Sequence, residues 1–133
     1  MRKLTITNPA RSDLIDIRTY TVKHYGHRAA DSYDTLLKQA IRDVREDPYR
    51  LGSKRRPEIS KNICSYHTML SRTRAGKTVK KPRHFILYFL PNENEVVISR
   101  VLHDSRDIVR HVPQEHLEQP QEIIHKKPDE KES

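Results

Sequence analysis

The chain has 133 residues, enough for one domain with one core, and its 34% hydrophobic against 33% charged residues keep that core economical. The net charge of +8 is unevenly placed: residues 1–113 carry +11, and residues 50–83 hold eleven Lys or Arg against Glu58 alone. Such a field attracts nucleic acid or an acidic protein, while no apolar run approaches the roughly 18 residues that a membrane-spanning helix needs.

The opening "MRKLTITNPA" is basic but has no apolar signal core, so a cytoplasmic location is expected. Cys64 is the single cysteine, which excludes an intramolecular disulfide and a Cys-based zinc site. A small buried hydrophobe is the natural role for it. No tryptophan and two phenylalanines leave the six tyrosines to supply most of the aromatic packing.

In chain order, "KLTIT" (3–7) alternates and is rich in β-formers, which predicts a short strand. "NP" at 8–9 predicts a helix start, with Asn8 as N-cap and Pro9 at the first helical position. Leu14, Ile17, Thr21 and Tyr25 then share a face, widened by Ile15 and Val22, and Gly26 ends the helix. A second helix has a cleaner period from His27 to about Asp47, through Ala29, Ala30, Tyr33, Leu36, Leu37, Ile41 and Val44, and Pro48 stops it. Almost no linker separates the two, so an antiparallel helical hairpin is expected.

Residues 50–62 are basic and turn-rich. "ICSYHTMLSR" (63–72) reads as a strand, "TRAGKTVKKP" (73–82) as a basic loop, "HFILYFL" (84–90) as a central strand apolar on both faces, and "VVISRVL" (96–102) as the last strand. The fold class is therefore α+β: an N-terminal strand and a helical hairpin packed on a three-stranded antiparallel meander. It forms one domain over residues 1–113. The tail, residues 114–133, is polar with six acids and three bases, and disorder is expected there.

Three chemistries find little support. "GKT" at 76–78 resembles part of a phosphate-binding loop, but Ser71 stands where the first glycine is needed and "VKKPR" follows instead of a helix. The eight histidines show no recognised ligand spacing, so no metal and no cofactor are expected. Ser65, Ser71, Ser99 and Ser105 each lie near a His in sequence, yet none sits in a Gly-flanked elbow, so no catalytic nucleophile is assigned. More weight falls on Arg72, Arg83, Arg100, Arg106 and Arg110, which come from the ends of adjacent strands or just beyond them. Their planar forks suit phosphates and carboxylates alike.

The order of elements, together with "NPARSDLIDIRTYTVKHYG", "AADSYDTLLKQAIRDVREDP", Gly52, "ICSYHTMLSR", "PRHFILYF" and above all "SRVLHDSRDIVRHVP" (99–113), resembles the ParE branch of the ParE/RelE toxins. The match covers about residues 3–113. The resemblance implies the toxin of a type II toxin–antitoxin module that inhibits DNA gyrase and so blocks replication. It further implies neutralisation by a ParD-like antitoxin, with operator DNA reached only through that antitoxin. The alternatives are a RelE-like ribosome-dependent mRNA endonuclease and a basic binding module without toxicity.

RelE supplies an Arg and a terminal Tyr in its last segment; overlaying "VLHDSRDIVR" on it puts Asp104 at the Arg position and Arg110 at the Tyr position. A carboxylate there repels the phosphate charge that an Arg would stabilise, so a non-enzymatic toxin is expected. Target contact is assigned to Arg72, Arg83, His103, Arg106 and Arg110, with Val101, Leu102, Ile108 and Val109 anchoring the segment. Departures from the family pattern are the long basic loop "TRAGKTVKK" and the tail.

Overall fold

The computed structural model describes residues 1–105; the expected tail and residues 106–113, including Arg106, Asp107, Ile108, Val109 and Arg110, lie outside them. The elements are β1 (Lys3–Ile6), α1 (Asn8–Tyr25), α2 (His27–Glu46), β2 (Lys54–Arg55), β3 (Cys64–His67), a 3-10 turn (Thr68–Ser71), β4 (His84–Asn92) and β5 (Glu95–His103). The expected meander of β3, β4 and β5 is present and antiparallel. It is the middle of a larger mixed sheet of order β1-β5-β4-β3-β2. β1 runs parallel to β5, Lys3 against Glu95 and Ile6 against Ile98, and β2 extends the opposite edge.

Local chemistry explains where the elements begin and end. Thr7, not Asn8, caps α1: its Oγ1 accepts the Ala10 N–H at 3.1 Å and donates to the Ser99 carbonyl at 2.9 Å. Asn8 is already helical, and Pro9 costs nothing one position later because the first four helical N–H groups have no carbonyl partner within the helix. The cap therefore also ties the helix start to β5. Gly26, at φ 92°, closes α1 and opens α2 without a linker. Arg18 then clamps the hairpin through Asp34 at 2.6 Å and Asp31 at 3.0 Å.

The expected inner face of α1 needs correction. Ala10 is fully buried and Leu14 and Ile17 pack against the core, but Ile15 and Tyr25 are 64% and 71% exposed. Ile15 sits about 100° around the helix from Leu14, and α1 lies over the β5 side of the sheet, so one narrow stripe meets the core. α2 follows its sequence period closely, burying Ala30, Leu36, Leu37, Ala40, Ile41 and Val44.

The expected strand 63–72 is cut short at His67, because the chain turns into the 3-10 segment there. The His67 ring caps that turn, its Nδ1 accepting the Met69 N–H at 3.0 Å. A buried network holds the turn to α2: Ser71 Oγ donates to Asp43 at 2.5 Å, Gln39 donates to the same carboxylate at 2.8 Å, and Tyr66 OH lies 2.9 Å from Ser71 Oγ.

The sheet is apolar on both faces. Tyr66, Ile86, Tyr88, Val96, Ile98 and Val101 join the helices in the main cluster. Leu87, Phe89, Val97 and Leu102 form a second cluster with Ile59 and Ile63 from the segment after β2. Val101 shares the helix side with Ile98 despite their odd spacing, since Tyr88 pairs with Ile98 and Leu87 with Arg100, leaving Ser99 as an extra residue. Asp13 of α1 serves that irregular stretch, accepting Arg100 at 2.7 and 2.9 Å and the Val101 N–H at 2.9 Å.

Candidate functional site

Three strands end or begin in histidine at the same edge of the molecule: His67 closes β3, His84 opens β4 and His103 closes β5. Pairing places His84 opposite His103 and His67 opposite Phe85. Asp104 follows at once, and its backbone N–H donates to the Arg83 carbonyl at 2.8 Å. That bond brings the two side chains together. Arg83 grips the carboxylate with its fork, Nε at 3.0 and 3.1 Å and Nη2 at 2.9 Å.

His67 completes the clasp. Its Nδ1 is occupied by the Met69 N–H, so the ring proton sits on Nε2, which donates to Asp104 Oδ2 at 3.1 Å. The Arg83 fork, followed by His67, pulls the Asp104 carboxyl down to about 2. His103 Nδ1 lies 3.6 Å from Asp104 Oδ1. It accepts the Ser105 N–H at 3.1 Å and contacts Ser105 Oγ at 2.7 Å, so this nitrogen is engaged in the local turn.

Behind this clasp the histidine chemistry changes. Tyr33 OH accepts the Arg83 N–H at 2.9 Å and therefore turns its own proton to His84 Nδ1 at 2.7 Å. Burial first, and the neighbouring His103 second, push the His84 imidazole down to about 4. The two rings meet edge to face at 5.3 Å. At neutral pH His84 is thus an uncharged acceptor, and burial raises the Tyr33 phenol.

Beside the clasp, on the face away from the helices, lies a cleft of about 550 Å³ bounded by Lys54, His67, Leu70, Lys81, Arg83 and Phe85. Arg56 stands over the Phe85 ring at 5.8 Å and donates to Ser65 Oγ at 3.1 Å. Leu51, Met69 and Leu70 are exposed. The cleft therefore combines an apolar floor with cationic walls.

Of the residues assigned to target contact, Arg83 and His103 meet around Asp104. Arg72 goes elsewhere: its Nε donates to the Val79 carbonyl at 2.7 Å and closes the basic loop. Arg106 and Arg110 are outside the described residues. Arg100, grouped with the rim in the sequence reading, is committed to Asp13 and is only 17% exposed. His67, His84 and Tyr33 were not singled out for the site. The recurrence of His at strand ends was the signal available.

The "GKT" loop cannot cradle a phosphate with its backbone. The Gly76 N–H goes to the Thr73 carbonyl at 3.1 Å and the Lys77 N–H to the Arg72 carbonyl at 3.0 Å. Among the described residues no group of three His, Cys, Asp or Glu is placed to hold a metal ion, and no helix is long and apolar enough to cross a membrane. Cys64 is partly buried, and burial raises its thiol pKa.

A helical hairpin on a mixed sheet, with a cationic cleft and an internally neutralised carboxylate at its rim, defines a small basic α+β protein. The family model for the ParE toxin of the type II toxin–antitoxin system, parDE, matches residues 4–108, and the chain belongs to that family. Membership implies an antitoxin partner. A comparison with curated proteins finds no match.

Proposed function

We propose that this toxin inhibits DNA gyrase, has no nuclease activity, acts in the cytoplasm and is neutralised by a ParD-like antitoxin. The observation carrying this reading is the Asp104 clasp. RNA cleavage needs cations free to meet the developing phosphorane charge and a base for the 2′-hydroxyl. In the ungapped sequence overlay this carboxylate falls where RelE has its Arg, and it is held ionised by Arg83 and His67. Arg83 spends its fork on that carboxylate, and the Nδ1 atoms of His67 and His84 are committed to hydrogen bonds.

On this reading His103, Arg106 and Arg110 grip the target, Arg83 fixing the rim beside them through Asp104 and Arg72 holding the neighbouring loop. The antitoxin contributes a helix of alternating apolar and acidic residues across the hairpin and sheet. Support comes from the +11 charge of residues 1–113 and from a shallow groove on α1 lined by Leu14, Ile15, Arg18, Val22 and Lys23.

Expression without antitoxin is expected to filament cells and inhibit supercoiling by gyrase while bulk messenger RNA stays intact. Arg106→Ala with Arg110→Ala, in a protein that still melts cooperatively and still binds antitoxin, is expected to abolish that inhibition. Codon-dependent cleavage in translating ribosomes would overturn the proposal in favour of a RelE-like enzyme.

A further inference from the structure

The basic loop between the 3-10 turn and β4 meets the clasp only at its last residue, Arg83, and the construction of residues 72–82 points to a ligand of its own. Ser71 is pinned to the buried Asp43, the Ala75 N–H returns to the Ser71 carbonyl at 3.0 Å, and Arg72 reaches across to Val79. Arg74 leans on Asp43 at 3.4 Å. Lys77 adopts φ 60°, a conformation unfavourable for a non-glycine residue that persists because these bonds define the loop. The loop is therefore closed on itself rather than loose.

What it presents outward is cationic. Lys77, Lys80 and Lys81 are all exposed, and none has a carboxylate partner among the described residues. A four-residue separation puts Lys77 and Lys81 within about 14 Å of each other. Duplex DNA carries about eight phosphate charges over that length. Lys81 also borders the cleft that contains Lys54, which extends the positive surface toward β2.

We infer that the loop of residues 72–82 is a phosphate-contacting surface for duplex DNA, made by the toxin itself in addition to any contact through its antitoxin. An acidic protein segment is the weaker fit on the loop itself, because segment binding needs apolar anchors, and Val79, the largest apolar residue between Gly76 and Lys81, is half-buried, the apolar floor of the cleft lying beyond Lys81. Single-stranded nucleic acid is weaker too. Its binding rests on stacking aromatics, and residues 72–83 contain none. Lysines on a closed loop supply point charges that read a phosphate backbone without reading sequence.

The test is fluorescence anisotropy of the full-length toxin with a labelled random duplex of about 30 base pairs, between about 50 and 300 mM salt. Wild type is expected to bind with a steep linear fall of log affinity against log salt. Lys77→Ala/Lys80→Ala/Lys81→Ala is expected to flatten that slope by about 2.7, or about 0.9 for each phosphate released. A control triple with the same charge change on the helices, Arg11→Ala/Arg28→Ala/Lys38→Ala, is expected to leave most of the slope intact. No binding by wild type, equal effects of the two triples, or tighter binding to a single-stranded RNA of the same length each overturns the inference. Gyrase inhibition is assayed separately, so a loss of DNA binding with gyrase inhibition intact separates this inference from the proposed target.

Discussion

Removing the Asp13 carboxylate is the sharpest test of how the hairpin is fixed to the sheet. Asp13 is 12% and Arg100 17% exposed, and Asp13 accepts three bonds: two from the Arg100 fork and one from the Val101 N–H. Asp13→Ala breaks a largely buried ion pair by removing its carboxylate, at a cost of about 3–5 kcal/mol. Part of that cost is the Val101 amide, worth about 1–3 kcal/mol when left unpaired. In a domain of this size each kcal/mol is worth at least about 4 °C, so the melting temperature should fall by more than about 10 °C.

Asp13→Asn keeps an acceptor for Val101 and should lose less. A double-mutant cycle with Arg100→Ala, read by urea denaturation, should return a coupling of about 2–3 kcal/mol. A cost below about 1 kcal/mol for Asp13→Ala, or additive single mutants, would refute the reasoning. It would mean that the fork is a surface contact and that packing alone holds α1.

Two further outcomes follow from buried groups. His84 titrates near 6.5 unfolded and about 4 folded, so the unfolded chain binds more protons and stability falls as pH drops through that window, by about 3 kcal/mol in full. Denaturation at pH 7.5 and 4.5 measures it, and His84→Asn should remove most of this slope; an unchanged slope would place the titration elsewhere. Asp43 is fully buried and holds Ser71, so Asp43→Ala should cost about 3 kcal/mol and strip hydrogen-exchange protection from the Ala75, Gly76 and Lys77 amides, while retained protection there would show that the loop closes without it.

The sequence reveals those parts whose cause is local. α2 and β4 were legible because helical period and a continuous apolar run survive any tertiary context. β2 was not: two charged residues, Lys54 and Arg55, pair with β3 through backbone bonds that leave no side-chain pattern. The α1 cap shifted by one residue because Thr7 can bond to Ser99, a partner 92 positions away. The expected inward face of Tyr25 failed for a similar reason, since period alone does not say how far a sheet extends beneath a helix. At the site, Arg83 and His103 were visible as charged residues near strand ends. Their organisation around Asp104 depends on strand register, which places His67, Arg83 and Asp104 side by side from three separate segments.

The parallel pairing of β1 with β5 also sets a timetable. Lys3–Ile6 are made before the other strands described, yet their hydrogen-bonding partners at Glu95–Ile98 follow about 90 residues later. At about 5–20 residues per second, the nascent chain waits roughly 5–18 s with its first strand unpaired. Asp13, similarly, waits for Arg100. A complete sheet, and with it the rim around Asp104, exists only after the last strand has emerged.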